Sequence, residues 1–356
     1  MDASLRDVAR ALGEWLDTGR TAVLATVVTS DGSAPRGLGA RLAIGGPHEW
    51  IGALSGGCTE AAVLAEAERL FASGDPDDAV LVAYTKQTMA DVGPICGSTL
   101  GVLVELVDDV LVGTLERLVD TASGGTAAEL AVTYASANGT AIEHPAAGES
   151  VRLVREAVAL DPVDDADAQL VSVTFDEVGL VLRQQVPGAI HLVLGGAGDI
   201  ARELVLLAER LAWRTTVIDA RTVVLAQLER TCRPDRTIDA WAAEAWDELD
   251  VDARTACVAL AHESHHDEPF LAAALASDAA YVGAVGSRRV QQQRREALTA
   301  TGLDDAALDR LRGPAGLDLG GSAAAEVALA IAAEIVATFH DRSGAPLTGT
   351  SGPIRA

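Results

Sequence analysis

The chain has 356 residues, carries a formal charge of −25 and is 49% hydrophobic with only 3% aromatic residues. That length suits two domains, and the core must be built from Ala, Val and Leu. A surface this acidic repels phosphate backbones and anionic membranes, so neither nucleic acid nor membrane is expected as a partner. Lys86 is the single lysine, which leaves no P-loop lysine and no second Schiff-base candidate. The cysteines Cys58, Cys96, Cys232 and Cys257 form no Cys-x-x-Cys pair, so a structural zinc site is not expected. No basic start runs into an apolar stretch, and charge interrupts every apolar run well short of about 18 residues. The expected compartment is the cytoplasm, with reduced cysteines.

Leu5, Val8, Leu12, Trp15 and Leu16 recur at helical spacing up to Gly19. Residues 21–29 read as a buried strand, 31–36 as a turn, and 41–44 and 50–54 as strands. A helix is expected over 59–72, followed by strands at 80–84 and 100–106. This gives an N-terminal α/β domain over 1–109. Residues 110–187 show a less regular pattern, with strands at 170–175 and 179–186 and an acidic loop at 161–167, and read as a linker or small β-containing region, or as an oligomer contact. A new rhythm opens at 190: strand 190–194, helix 199–212, strand 215–218, strand 257–261, helix 268–276, strand 280–285, then helices 290–299 and 323–338. Strands alternating with helices imply a parallel sheet with crossover helices. The fold class is therefore α/β, with a Rossmann-like C-terminal domain over 188–340 and a flexible tail over 341–356.

Gly195-Gly196-Ala197-Gly198-Asp199-Ile200-Ala201 follows a strand, opens a helix and fits Gly-x-Gly-x-x-Ala through Gly196, Gly198 and Ala201. Glycines there let backbone amides approach a pyrophosphate at a helix N-terminus, and Asp219 stands at the spacing of a ribose-binding carboxylate. A nucleotide is thus expected in this domain, although such a fold can persist without one. Ser55-Gly56-Gly57-Cys58-Thr59-Glu60 also joins a strand to a helix. Its glycines suit an anion-holding backbone nest, and a cysteine at a helix start favours thiolate, a soft metal ligand. The alternative is a buried cysteine beside an ordinary glycine turn, with Glu60 complementing the helix dipole. Cys96 is a second cysteine next to glycine, either in a shared site or packed. His262-Glu263-Ser264-His265-His266-Asp267 follows a strand at the sheet edge where ligands bind. It suits metal binding, though not at a standard ligand spacing, or a solvated loop. Ser287-Arg288-Arg289 after a strand and turn suits phosphate recognition, or simply a charged helix start.

These motifs, in this order, resemble the XdhC/CoxI family of xanthine dehydrogenase and carbon monoxide dehydrogenase accessory proteins. The N-terminal likeness runs through Gly32-Ser33-Ala34-Pro35-Arg36 to Ser55–Glu60. The C-terminal likeness takes in Gly195–Gly198, Asp219-Ala220-Arg221, the His262 and Asp267 pair, Tyr281–Arg289 and Pro314–Gly320. The chain departs from the family at Ser98, Ala261 and Ser264, where Gly, Thr and His are common. The resemblance implies a chaperone that binds molybdenum cofactor, as molybdopterin or its dinucleotide form, with Cys58 as a molybdenum contact. It implies delivery to a client hydroxylase such as xanthine dehydrogenase, cofactor sulfuration through a cysteine desulfurase, and a homo-oligomer. The implied cofactor-binding residues are Arg36, Ser55, Gly56, Gly57, Cys58, Glu60, Cys96, Gly196, Gly198, Asp219, Arg221, His262, Asp267, Ser287, Arg288 and Arg289. No catalytic residue is expected. The competing reading is an NAD(P)-dependent oxidoreductase, with Asp219 selecting NAD.

Overall fold

The computed structural model describes residues 3–31, 37–55, 59–74, 79–84, 99–137, 150–163, 170–175 and 179–351. The chain divides into two compact units, Met1–Gly188 and Ala189–Ala356. Both are α/β, the first around an antiparallel sheet and the second around a parallel one. Among the described residues no helix is long and apolar enough to cross a membrane.

The first unit runs α1 (Ala3–Asp17), β1 (Val23–Asp31), β2 (Arg41–Gly46), β3 (Glu49–Gly52), α2 (Glu60–Ser73), β4 (Ala79–Tyr84), β5 (Thr99–Leu106), α3 (Asp109–Ser123), β6 (Ala128–Ser136), β7 (Ser150–Pro162), β8 (Leu170–Phe175) and β9 (Gly179–Val186). Among the described residues its nine strands lie in the order β3-β2-β1-β5-β4-β7-β6-β9-β8. Side chains alternate across the pleat. Leu24, Leu81 and Leu103 pack on one face with Leu5, Val8 and Leu12 of α1 and Leu111 and Leu115 of α3. Val23, Ala25, Val102 and Val104 pack on the other with Val63, Ala67 and Leu70 of α2. The sheet curls far enough for Arg41 on β2 to hydrogen-bond Gln184 on β9.

The expected boundary after residue 109 does not survive this arrangement. β7 pairs with β4 through Ala79↔Leu153 to Val82↔Ser150, so residues 110–187 complete the same sheet as 1–109. Asp161 and Pro162, expected in a loop, lie in β7 opposite Glu129 and Ala128.

The second unit runs β10 (His191–Gly195), α4 (Asp199–Arg210), β11 (Arg214–Ile218), α5 (Thr222–Glu229), β12 (Arg236–Ile238), β13 (Thr255–Ala259), α6 (Ser264–Leu275), β14 (Tyr281–Ala284), α7 (Arg288–Ala300), α8 (Asp305–Asp309), β15 (Leu311–Arg312) and α9 (Ala324–Phe339). The strand order is β12-β11-β10-β13-β14-β15, all parallel. Leu192 and Leu194 face α4 and α9, whereas Val193 faces the side filled by Phe270, Leu271 and Leu298 of α6 and α7. The chain order reverses between β10 and β13. At that switch point the loops leaving neighbouring strands diverge and open a crevice at the carboxyl edge.

One buried polar cluster interrupts the apolar core of the first unit. Glu105, 2% exposed, accepts from Tyr134 Oη at 2.7 Å and from Arg155 Nη1 at 2.6 Å, and Arg155 also meets Asp108 at 2.7 Å. Removing one partner of a buried ion pair costs about 3–5 kcal/mol. Asp108 still pairs Arg155, so Glu105→Ala is expected to lose stability toward the lower end of that range, read as the shift in a urea unfolding curve.

Candidate functional site

The site lies at the carboxyl edge of the parallel sheet, where the loops after β10, β11 and β13 meet. A pocket there is lined by Gly195, Gly196, Asp219, Trp241, His266 and Asp267, with Phe270 at its base. Gly196 has φ +121, and a Cβ on it would stand 2.7 Å from Ala261 N and 2.8 Å from Leu260 C. Only glycine fits, because the glycine loop lies directly against the turn after β13. Gly198 differs: it is the N-cap of α4 at φ −74, and a Cβ there would meet nothing within 4 Å. The fold leaves space over this helix N-terminus, where free amides favour an anion.

Asp219 is 1% exposed. Its Oδ2 accepts from Ala197 N at 2.8 Å and from Arg221 Nη2 at 2.7 Å. Its Oδ1 accepts from the Arg221 backbone N at 2.8 Å and Nε at 2.9 Å. Burial works against its charge, but the Arg221 side chain and the two backbone amides outweigh it and hold the carboxyl below its usual range. Asp219 thus ties the glycine loop to the end of β11. Arg221 continues the chain of charges to Glu263, with Nη1 at 3.8 Å.

Asp267 is 2% exposed; it accepts from Ala261 N at 3.3 Å and from Arg294 Nη2 at 3.0 Å. Burial is the larger influence and pushes its carboxyl up despite the Arg294 guanidinium. His262, its companion in the sequence reading, is exposed, with φ +60, a conformation that non-glycine residues adopt rarely and that clusters at functional turns. The side chains that converge there are Glu263, His265 and His266. His266 stacks on Trp241 with ring centroids 3.2 Å apart. Trp241, which lines the pocket and stacks on His266, gave no sequence signal because it lies outside every motif.

Ser287 caps α7, its side chain accepting from Val290 N. Arg288 and Arg289 are exposed on the first turn, beside but outside the pocket lining. In the first unit, Arg36, Gly56, Gly57, Cys58 and Cys96 lie outside the described residues. The residues flanking 56–58 are tightly bound. Glu60 Oε1 accepts from Leu54 N at 3.0 Å and Ser55 N at 2.9 Å, its Oε2 accepts from Ser55 Oγ at 2.9 Å, and Thr59 N donates to Ser55 Oγ at 3.0 Å. Burial opposes the Glu60 charge, but these donors hold its pKa down to about 2. Glu60 and Ser55 therefore pin both ends of the Gly-Gly-Cys segment. The remaining cysteines are buried. Burial raises the thiol of Cys232 and pushes that of Cys257 up to about 12, which disfavours the thiolate form of both.

The two glycines should separate on substitution. Gly196→Ala is expected to cost more than about 2 kcal/mol, from backbone strain plus the clash with Ala261. Gly198→Ala should stay within about 1 kcal/mol, as at an ordinary N-cap. Chemical denaturation of both variants checks this.

Glu60 generates a pH-dependent expectation. Its folded pKa lies near 2, below an unfolded value of about 4.3. The stabilisation is fully present above that unfolded value and is lost as pH falls toward 2. Glu60→Gln should lower stability at neutral pH by about 1–3 kcal/mol. It should also flatten the loss between those two pH values, read as melting temperature against pH.

Comparison with known proteins agrees with this geometry. A family model described as the XdhC and CoxI family matches residues 15–85, and one described as the XdhC Rossmann domain matches residues 192–335. A relative from Bacillus subtilis (strain 168), described as a probable xanthine dehydrogenase subunit, is 25% identical over 338 residues, which is 92% of this chain and 96% of that protein. A crystal structure described as a xanthine dehydrogenase from Bacillus halodurans superposes with a TM-score of 0.70 at 20% identity, over 96% of this chain and 97% of that one, a likeness of fold. The glycine loop, the parallel sheet built around it and both family models agree: the chain belongs to the XdhC and CoxI family.

Proposed function

We propose that this protein is an accessory factor without turnover of its own, which binds molybdenum cofactor, shields it and passes it to a molybdenum hydroxylase such as xanthine dehydrogenase. The observation that carries the reading is the open helix N-terminus at Gly198, at the switch point of the parallel sheet. A phosphate is the group such a terminus accepts, and the cofactor carries one in both its molybdopterin and its dinucleotide form. When bound, the cofactor supplies the redox-active metal that the client uses.

The residues of this chain grip, orient and shield. The amides after Gly198 hold the phosphate end, and Arg288 and Arg289 add positive charge at the same sheet edge. In the first unit, taken by itself, Cys58 immediately precedes the N-cap Thr59 of α2 and is the residue that would hold molybdenum through a thiolate, with the Ser55–Glu60 clasp bracketing it in the chain. Transfer belongs with a sulfuration step fed by a cysteine desulfurase. The oxidoreductase reading is weaker, because both oxygens of Asp219 already accept bonds from Ala197 and Arg221. A ribose would have to displace Arg221.

Incubation of the purified protein with molybdenum cofactor, and separately with NADH, followed by gel filtration, tests the proposal. Cofactor should co-elute, Cys58→Ala should weaken retention about tenfold or more, and addition of the loaded protein should speed activation of apo-hydroxylase. Unchanged retention in folded Cys58→Ala removes that residue from the site. NAD(P)H oxidation by the isolated chain, abolished by His262→Ala, overturns the reading in favour of an oxidoreductase.

A further inference from the structure

The turn after β13 brings together three metal-ligating side chains that neither the glycine loop nor the Asp219 clasp uses. Glu263 directly precedes α6, and His265 and His266 lie in its first turn. Nε2 of His265 is 3.5 Å and Nε2 of His266 is 3.8 Å from the same Glu263 Oε2, and the three donor atoms lie within 4.8 Å of one another. The two measured separations are too long for good hydrogen bonds. The groups converge without bonding well to one another. Donors on a tetrahedral zinc ion stand about 3.3 Å apart, so the two separations to Glu263 need to close by about half an ångström or less, and no pair among the three donors starts more than 4.8 Å apart.

The geometry is held in advance. Stacking on Trp241, nearly parallel at 9°, fixes the His266 ring, and the His265 ring centroid lies 3.8 Å from that of His266. The three side chains are 42%, 70% and 18% exposed for Glu263, His265 and His266, so an ion can reach them from solvent. Arg221 approaches only the other oxygen, Oε1, and its guanidinium is already paired with Asp219. Asp267, next along α6, is taken by Arg294.

We infer that Glu263, His265 and His266 form a binding site for a divalent transition metal of the zinc type. Two imidazoles and a carboxylate suit zinc, whereas magnesium and calcium take all-oxygen sets. Three protein ligands leave a fourth position open, as in sites that accept an incoming group. His266 also lines the pocket beside the glycine loop, so the ion borders that pocket and an anionic oxygen bound there can complete its coordination. The site stands on these side chains alone and does not depend on which cofactor the chain carries.

Zinc chloride titrated calorimetrically into the full-length protein, with accessible thiols first blocked by iodoacetamide, gives the test. One ion should bind per chain, and cobalt(II) should give a four-coordinate spectrum without a thiolate charge-transfer band. Glu263→Gln and His265→Ala should each weaken zinc binding about tenfold or more. The double variant His265→Ala/His266→Ala should abolish it, whereas His340→Ala should leave it unchanged. Melting curves of the metal-free variants confirm folding, and His265→Ala, whose side chain is mostly in solvent, decides the matter if loss of the Trp241 stack unfolds the double variant. No saturable binding, or affinity undiminished in His265→Ala, overturns the inference and leaves the accessory reading untouched.

Discussion

The carboxyl edge of the parallel sheet depends on one close approach, that of Gly196 to the backbone of Leu260 and Ala261. β10 and β13 are neighbours in the sheet but are separated in the chain by two other strands. Bringing their following loops into contact leaves no room for a side chain on the first. The same approach places the Asp219 carboxylate under Ala197 and the Asp267 carboxylate under Ala261. Two strand ends and one helix start are thereby fastened by backbone amides and buried acids, and the pocket is what remains between them.

The disposition of charge follows from this fastening. In a chain of net charge −25, two of the carboxylates at this edge are used internally, while Asp199 and Glu263 remain open to solvent. Asp219 is bound by Arg221 and Asp267 by Arg294. Arg288 and Arg289, exposed at the same edge, point the balance the other way. An acidic protein can thus present a locally receptive edge to an anion.

The Rossmann unit was legible because its signals are local: the glycine loop follows a β-rich run, and Asp219 ends the next strand. Residues 110–187 were harder. α3 carries a readable signal, with Asp108 capping it and Leu111, Leu115 and Leu118 recurring on one face. β7 does not: most of its side chains are partly or fully exposed, so no apolar alternation marks it, and its place in the sheet comes from backbone pairing with β4 and β6. At the site, the sequence showed a run of histidines and acids but not which of them converge. That choice rests on the positive φ of His262 and on Trp241, which is distant in the chain. Periodicity reports neither.

The pairing of β7 with β4 also governs how the chain can be divided. The N-terminal family match ends at residue 85, a tempting place to cut or graft. A fragment ending there would carry β4 without either of its neighbours, β5 and β7, and one ending between β5 and β6 would leave the Glu105 carboxylate without both Tyr134 and Arg155. An exposed apolar strand edge recruits other strands, so such a fragment would sooner self-associate than stand as a module. For evolution and for engineering alike, the smallest unit that can be exchanged in this half of the molecule is the whole of Met1–Gly188.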